Sequence, residues 1–239
     1  MIRRILPVFL VTCWVGTAAA AAGNPAQKNG GGQPASLQQV LSQMDAAAAQ
    51  FHSVEANLNV DLYTAVVQDH EMQKGVAAFR RVNGSMEMAT TINKGQPGET
   101  EILYKSGQLD YYLPGQKQET IFSAGANQGE WDGLLATGFG ATGKDLSHAW
   151  TVKFDGMENV GGVPTAKLEL VSKDPKIRSY FSQLTIWVDL SRDISLKQIM
   201  LQPDGDSRTA TYSDIRYNQR VAESLFTLHV APGTQVTRR

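Results

Sequence analysis

The stretch "LTIWVDL", residues 184 to 190, places Leu184, Ile186 and Val188 on one side of the chain and more polar residues between them. A period of two is the mark of a β-strand with one buried face and one wetter face. The same pattern occurs in "LNVDLY" (58–63), "WTVKFDG" (150–156) and "FTLHV" (226–230). Each of these stretches is therefore predicted to be a strand with an apolar inner side, formed by Leu58, Val60 and Leu62, by Trp150, Val152 and Phe154, and by Phe226, Leu228 and Val230.

Short turn sequences separate the strand-like runs. They are Asn83-Gly84, Ser106-Gly107, Gly161-Gly162 and Asp204-Gly205. Such pairs favour two-residue hairpin turns, so consecutive strands should pair antiparallel. At ordinary strand and turn lengths the chain holds roughly ten strands. So many strands with one apolar face are expected to curl into a half-open, incomplete β-barrel.

A helix is predicted at "SLQQVLSQMDAAAAQFHSV", residues 36 to 54. Ser36 can cap it, with Gln39 at the spacing of a capping box. An apolar stripe recurs at helical spacing, made of Leu37, Val40, Leu41, Met44, Ala48 and Phe51. This helix should cover the sheet, which makes residues 36–239 one α+β domain.

A second, shorter helix is predicted in "GEWDGLLATGFG", residues 129 to 140. Its apolar residues are Trp131, Leu134, Leu135 and Phe139, and its glycines weaken it as a helix. A glycine-rich apolar element between strands suits a mobile lid over the sheet.

The beginning of the chain, "MIRRILPVFLVTCWVGTAAAAAG", has two arginines, a short apolar run and small residues suited to cleavage. The run is too short to span a bilayer, so residues 1–22 are predicted to be a signal peptide, followed by a flexible lead-in at 23–35. The protein should then be periplasmic, or secreted if the source cell has no outer membrane. Its only cysteine, Cys13, lies in the signal, so the mature chain would form no disulfide.

Composition and motifs exclude several classes of function. The formal net charge of -1 argues against a mainly electrostatic attraction to nucleic acid. The four histidines do not share a close metal-ligand spacing, and the chain has no nucleophile elbow. "GFGATG", residues 138 to 143, has the spacing of a dinucleotide loop but does not follow a strand. The motifs therefore predict no catalytic residues, no metal and no cofactor, and leave open a catalytic site assembled in space.

Read in order, the segments resemble the LolA-like family of periplasmic lipoprotein carriers. The family pattern includes a helix ending near a phenylalanine, a strand that begins with glycine and ends with a basic residue, and a glycine-aromatic hairpin. Here these are "LSQMDAAAAQFHSVEANLNV", "GVAAFRRV" (75–82) and "ILYKSGQLDYYLPG" (102–115). The later pattern matches the stretch from "LTIWVDL" to "FTLHVAPG", residues 184 to 233.

The resemblance implies one residue with a specific role. Family members place an arginine at the end of the second strand, where it hydrogen-bonds the lid and keeps the empty form closed. Arg81 matches that position and shares a predicted face with Ala77 and Phe79. The family usually follows this arginine with proline, whereas this chain has Val82, which puts the role as a switch in question. The alternative is an exposed strand-end arginine beside Arg80.

The resemblance also implies a hydrophobic cavity that binds the acyl chains of lipoproteins and carries them from the inner to the outer membrane. The inward apolar residues are the candidates for its lining, and ordinary core packing is the alternative for each: Leu58, Val60, Leu62, Phe79, Met86, Met88, Ile102, Tyr104, Val152, Phe154, Leu184, Ile186 and Val188. The implied partners are acylated lipoproteins, an inner-membrane ABC-type release complex and an outer-membrane receptor lipoprotein. A monomer is expected.

Two other uses of such a shell remain open. The first is a carrier or sensor of another amphiphile, including an envelope-stress regulator that binds a membrane anti-sigma factor. Such a regulator would have an additional C-terminal domain, which we do not expect here. The second and more remote alternative is a secreted hydrolase, whose catalytic residues would have to be assembled in space.

Overall fold

The computed structural model describes residues 34, 36–125, 132–133 and 135–239. The predicted signal peptide at 1–22 and all but Pro34 of the lead-in before Ser36 fall outside the described residues. Two of the predicted lid residues, Trp131 and Leu134, also fall outside them.

The described chain contains three regular α-helices and twelve strands, joined mostly by short turns. The helices are α1 (Leu37–Ala48), α2 (Gly143–Ala149) and α3 (Pro175–Tyr180). The strands are β1 (Ser53–Thr64), β2 (Asp69–Val82), β3 (Ser85–Ile92), β4 (Thr100–Lys105), β5 (Gln108–Leu113), β6 (Gln118–Ser123), β7 (Trp150–Val160), β8 (Val163–Ser172), β9 (Gln183–Asp189), β10 (Ile194–Leu201), β11 (Ser207–Tyr217) and β12 (Gln235–Arg238).

All twelve strands belong to one sheet in the order β12-β6-β5-β4-β3-β2-β1-β11-β10-β9-β8-β7. Every neighbouring pair is antiparallel except β12 with β6, which is parallel. Within the described residues β7 and β12 each pair on one side only, so the sheet stays open. The predicted incomplete barrel is confirmed, with two strands more than the roughly ten that ordinary strand lengths suggest.

Three of the four predicted two-residue turns are confirmed by the backbone, whereas Asp204-Gly205 lies in a five-residue connection between β10 and β11. Asn83 and Gly84 have φ of 50° and 86°, and Ser106 and Gly107 have φ of 52° and 75°. Positive φ at both central residues is the requirement of the turn whose twist matches paired strands, which is why asparagine and glycine favour it. These turns join β2 to β3 and β4 to β5.

Helix α1 begins as predicted and ends earlier than predicted. The Ser36 side chain accepts a hydrogen bond from the Gln39 amide at 3.3 Å, which satisfies one free donor of the first turn. The helix ends at Ala48, and residues 53 and 54, which the helical pattern included, begin β1. Val40 and Met44 are fully buried in a cluster formed with β7 to β10.

Paired residues show which side chains share a face of the sheet. Val54 lies opposite Phe79, Phe79 opposite Met88, and Met88 opposite Tyr104. Directly opposed residues point to the same side, so this set defines the inner face. Apolar residues of this face form two clusters, one centred on β1 and β2 and one on β8 and β9.

The predicted strand "FTLHV" is wrong. Phe226 ends a short 3-10 helix (Glu223–Phe226), and residues 227 to 231 join no strand ladder. Phe226 instead packs on the outer face of the sheet against Ala78, Ala89 and Leu103. Alternation is also compatible with an extended segment that lies across a sheet without pairing, since such a segment likewise buries every second residue.

Candidate functional site

Residues 135–141, called the strap below, lie on the inner face of the sheet. Gly140 donates its amide to the Asp193 carbonyl at 2.9 Å, and the Ser195 amide donates to the Gly138 carbonyl at 2.5 Å. Between these two bonds Phe139 forms a single β-bridge with Ile194. Among the described residues the strap is therefore attached to the start of β10 by two backbone–backbone hydrogen bonds, and the Gln198 side chain of β10 donates a third bond to the Thr137 carbonyl at 3.2 Å.

The Phe139 ring fills the centre of the inner face. It is 2% exposed and stacks on Phe79, with centroids 3.9 Å apart and an angle of 11° between the planes. Tyr212 meets the same ring edge-on at 5.0 Å. Aromatic pairs in these arrangements stabilise by about 0.5 to 1.5 kcal/mol beyond the area that they bury. A residue of the strap thus covers the Phe79 ring on the inner face.

Two glycines allow the strap backbone to lie close to Phe51 and to Ser195 of β10. Gly138 and Gly140 have φ of +85° and +75°, in the left-handed region that disfavours other residues. A Cβ on Gly140 would lie 2.6 Å from the Phe51 ring, and one on Gly138 would lie 2.8 Å from the Ser195 Cβ. The glycine spacing of "GFGATG" therefore serves backbone packing.

Arg81 connects the strap to helix α1. Its Nη2 donates to the Gly140 carbonyl at 2.6 Å, and its Nη1 donates to the Ala48 carbonyl at 3.2 Å. The guanidinium also lies 5.9 Å from the centroid of the Phe51 ring. Ala48 is the last residue of α1, and its carbonyl also accepts the Phe51 amide at 3.2 Å. Arg81 adds a second bond to this carbonyl, so one side chain joins two separate elements.

A cavity of about 610 Å³ lies beside the strap, a volume typical of small-molecule sites. Its described walls come from the β2–β3 hairpin, the strap, α2, the start of β7 and residues 172 to 177. Met86, Trp150 and Ile177 supply apolar surface, while Asp145 and Lys173 supply charge. The lining is therefore amphiphilic, with apolar walls and charged groups among them.

All of the predicted cavity residues lie on the inner face of the sheet, but they do not line one pocket. Of the predicted set, the described cavity lining contains Met86 together with the predicted switch residue Arg81. The cluster on β1 to β3 takes Leu58, Val60, Leu62, Phe79 and Met88 together with Met86. The cluster on β7 to β10 takes Val152, Phe154, Leu184, Ile186 and Val188. Ile102 and Tyr104 stand apart on β4, beyond both clusters.

The described part of the predicted lid is only partly helical. Asp132 and Gly133 are helical, as are Leu135 and Ala136, whereas Phe139 lies in the bridge to β10. Tyr104 donates to Asp132 Oδ1 at 2.5 Å, which links the lid to β4. Burial raises the pKa of Tyr104, and the hydrogen bond to Asp132 and the charge of Asp132 act in the same direction.

Asp193 is a site residue that sequence reasoning missed. It is 0% exposed, and neither carboxyl oxygen has a hydrogen-bond partner in the described structure. Burial raises its pKa to about 8, although the nearby Arg81 charge opposes the shift; Asp45 adds to it. The residue follows "DLSR" in a polar turn between β9 and β10, so nothing in the local sequence marks it as buried.

Tyr212 is the second residue that was missed, and here a signal was present. It lies on β11 opposite Leu58, on the inner face. Burial raises its pKa, and its hydroxyl lies 3.5 Å from Gln198 Oε1. The alternation of "TATYSDI" (209–215) with neighbouring strands could have placed it inside.

The described part of the chain contains neither a metal-binding cluster nor a membrane-spanning helix. No group of three or more histidine, cysteine, aspartate or glutamate side chains there could hold a metal ion. Across the same residues, the helices are all too short or too polar to cross a membrane.

Comparison of the sequence with family models and with curated proteins finds no match. Solved structures with a similar fold do exist. An uncharacterized conserved protein from Thermus thermophilus is 12% identical, with a TM-score of 0.50 over 84% of this chain and 98% of that one. A LolA superfamily protein from Nitrosomonas europaea is 14% identical, with a TM-score of 0.41 over 82% and 99%.

A third match is the Pseudomonas aeruginosa MucA/MucB complex, 14% identical to this chain with a TM-score of 0.44 over 81% of it and 61% of the matched chain. The LolA superfamily, which the sequence resembles, is thus represented among the similar folds. At these identities the likeness concerns the fold alone.

Proposed function

We propose that this protein is a periplasmic carrier that shields the acyl chains of lipoproteins against the inner face of its sheet. Its cargo would travel from the inner membrane to the outer membrane. By the family resemblance, an ABC-type complex would load the carrier and a receptor lipoprotein would unload it. The protein would act as a binding protein and not as an enzyme.

The observation that carries the proposal is that a short segment outside the strand ladders covers the apolar inner face. Phe139 stacks on Phe79, and among the described residues three hydrogen bonds join the strap backbone to β10 and the turn before it: two to backbone groups and one from the Gln198 side chain to the Thr137 carbonyl. An ordinary core is filled by the strands and helices that enclose it, whereas this one is completed by a short segment between glycines. Removing the strap would uncover apolar surface continuous with the cavity at Met86.

The energetics of the cargo require such a surface. Each methylene moved from water to an apolar site is worth about 0.8 kcal/mol, so a long acyl chain cannot cross an aqueous compartment unshielded. The empty carrier faces the same problem with its own inner face. A strap that occupies this face when cargo is absent would solve it, because apolar surface is then covered in both states.

Arg81 would act as the lock of the closed state. It donates to the strap at Gly140 and to α1 at Ala48. Hydrogen bonds from a charged donor are worth about 1.5 to 3 kcal/mol, little enough for a bound acyl chain to displace. Val82 stands where the family has proline. It is the last residue of β2 and lies opposite Ser85, and it takes no part in the two hydrogen bonds of Arg81.

A carrier or sensor of a different amphiphile would use the same features, and the charged groups around the cavity favour a ligand that has a polar head. Asp145 and Lys173 lie in the same lining as Met86 and Trp150. An envelope-stress regulator would read the bound state through a partner protein instead of delivering the cargo. A secreted hydrolase is the remote third alternative.

The proposal is tested by native mass spectrometry of the mature protein mixed with a triacylated lipoprotein in the absence of detergent. A complex that transfers its cargo to acceptor vesicles with unchanged cargo mass supports a carrier. Uptake without transfer to the vesicles favours the sensor, and cleaved acyl chains favour the hydrolase. If no complex forms, the proposal is wrong.

Met86→Gln and Met72→Gln are a matched pair for this experiment. Met86 is 3% exposed and lines the cavity, whereas Met72 is 62% exposed on β2. The exchange keeps the length of the side chain and adds a polar amide. We expect the Met86 variant to lose most of the complex and the Met72 variant to keep it.

A further inference from the structure

The carboxyl of Asp193 is fully buried, and neither of its oxygens has a hydrogen-bond partner among the described residues. An isolated charge buried in a protein is strongly unfavourable, so such groups are paired, hydrogen-bonded or neutral. The closed structure therefore suits the protonated carboxyl.

The position of Asp193 connects it to the strap and to Arg81. Its own carbonyl accepts the Gly140 amide at 2.9 Å, and the carbonyl of Gly140 accepts Arg81 Nη2 at 2.6 Å. One strap residue thus lies between the two, with its amide bound to Asp193 and its carbonyl bound to Arg81. Departure of the strap would therefore release the Arg81 donor and the Asp193 carbonyl together.

We propose that opening of the strap exchanges the partner of Arg81, from the Gly140 carbonyl in the closed state to an ionised Asp193 in the open state. Closing the strap then requires Asp193 to take up a proton, and opening releases it. This deepens the proposed function and rests on it, because it assigns Asp193 as the positioning residue that couples loading of the carrier to pH.

The other charged and titratable groups around Asp193 do not replace it in this role. Asp45 faces it from α1 and disfavours its ionisation. Tyr217 faces it from β11, where burial raises the tyrosine pKa and the Asp193 charge adds to the shift. On its own turn Asp189 and Arg192 are already paired with each other, at 2.6 Å. Arg81 is thus the cation available to an ionised Asp193.

Amide hydrogen exchange measured by NMR between pH 4 and 9 tests the inference, after correction for the intrinsic pH dependence of exchange. The Ser195 and Gly140 amides report opening of the strap, because their bonds cross to it. The amides of the β8–β9 ladder report global unfolding. Opening of the strap is coupled to the release of one proton. The strap-opening constant should therefore rise roughly tenfold per pH unit over the pH range in which Asp193 is protonated in the closed state and ionised in the open state.

Two variants separate this coupling from other effects. Asp193→Asn keeps the shape and cannot ionise, so its strap-opening constant should not change with pH. Asp45→Asn removes a neighbouring charge and should keep the slope while shifting its midpoint. A wild-type strap whose opening is independent of pH, or an Asp193→Asn variant that keeps the wild-type slope, overturns the inference.

The measurement distinguishes failure of this inference from failure of the carrier proposal. Cargo binding that persists with a pH-independent strap would overturn only the role of Asp193. A pH-dependent strap in a protein that binds no acylated cargo at any pH would overturn the carrier and leave the coupling in place. The wild-type profile alone is decisive if the Asp193→Asn variant does not fold.

Discussion

Phe139 stacks on Phe79 with ring centroids 3.9 Å apart and planes 11° from parallel. Phe79 belongs to the sheet, whereas Phe139 belongs to the strap, so the contact joins the sheet to the segment that covers its inner face. The stability of the closed state therefore depends on a contact that can be removed without breaking a strand ladder.

Phe139→Ala should loosen the strap and leave the sheet intact. Truncation of a buried phenylalanine costs about 3 to 5 kcal/mol, and here the cost falls on the closed strap. We expect faster exchange of the Ser195 amide and faster uptake of cargo. Phe226→Ala is the matched control, since Phe226 is also 2% exposed but packs on the outer face. Equal strap exchange in the two variants would contradict this assignment.

Arg81→Lys should weaken the lock although it keeps the positive charge. The guanidinium donates to Ala48 and Gly140 from two separate nitrogens, whereas a lysine presents one compact ammonium. We expect the strap-opening constant, read from Ser195 exchange, to rise on the order of tenfold. Arg80→Lys serves as the control, because Arg80 binds Glu87 on the outer face. No change at Arg81 would mean that its charge alone matters.

Gly140→Ala should destabilise the closed state by roughly 2 kcal/mol. The alanine would have to adopt an unfavourable left-handed backbone conformation, and its Cβ would lie 2.6 Å from the Phe51 ring. The midpoint of urea unfolding and the exchange of the Ser195 amide measure it. Gly133→Ala should be neutral or slightly stabilising, because Gly133 is helical and a Cβ there meets nothing within 4 Å. A neutral Gly140 variant would show that the strap is not held as described.

Asp193→Asn should stabilise the protein near pH 8 and much less near pH 4. The pKa of Asp193 is about 8 in the folded protein against an ordinary 3.8, so the folded state binds the extra proton between these values. The stability of the wild type therefore falls as pH rises through this window. We expect a Tm higher by on the order of 5 °C in the variant at pH 8. A Tm difference that does not change with pH would contradict the assignment.

Glu223 should titrate far below an ordinary glutamate. Arg80 donates to it through two nitrogens, at 2.5 and 3.0 Å, and holds the pKa of its carboxyl at about 2. The stabilisation is present at neutral pH and is lost as pH falls towards that value. NMR titration of the carboxyl checks it, with Arg80→Gln expected to return the pKa to its ordinary range. Arg81→Gln should leave the Glu223 titration unchanged.

The local sequence determined which strand residues face inward. Leu184, Ile186 and Val188 share the inner face with Phe79 and Met88, as the alternation predicts, because side chains on a strand alternate between its two faces. Paired turn residues likewise determined the hairpins, since their positive φ values are a local property of the backbone. The face of Arg81 follows from the same parity.

The tertiary structure alone decided what covers each face. Phe139 lies against Phe79 from a distant part of the chain, and Phe226 lies across the outer face and not within the sheet. Asp193 lies near residues from three separate elements, since Gly140 of the strap donates to its carbonyl and its carboxyl interacts with Asp45 of α1 and Tyr217 of β11. The periodicity of a strand predicts that a side chain is buried but does not identify the segment that covers it. That segment depends on long-range packing, which no short stretch of sequence encodes.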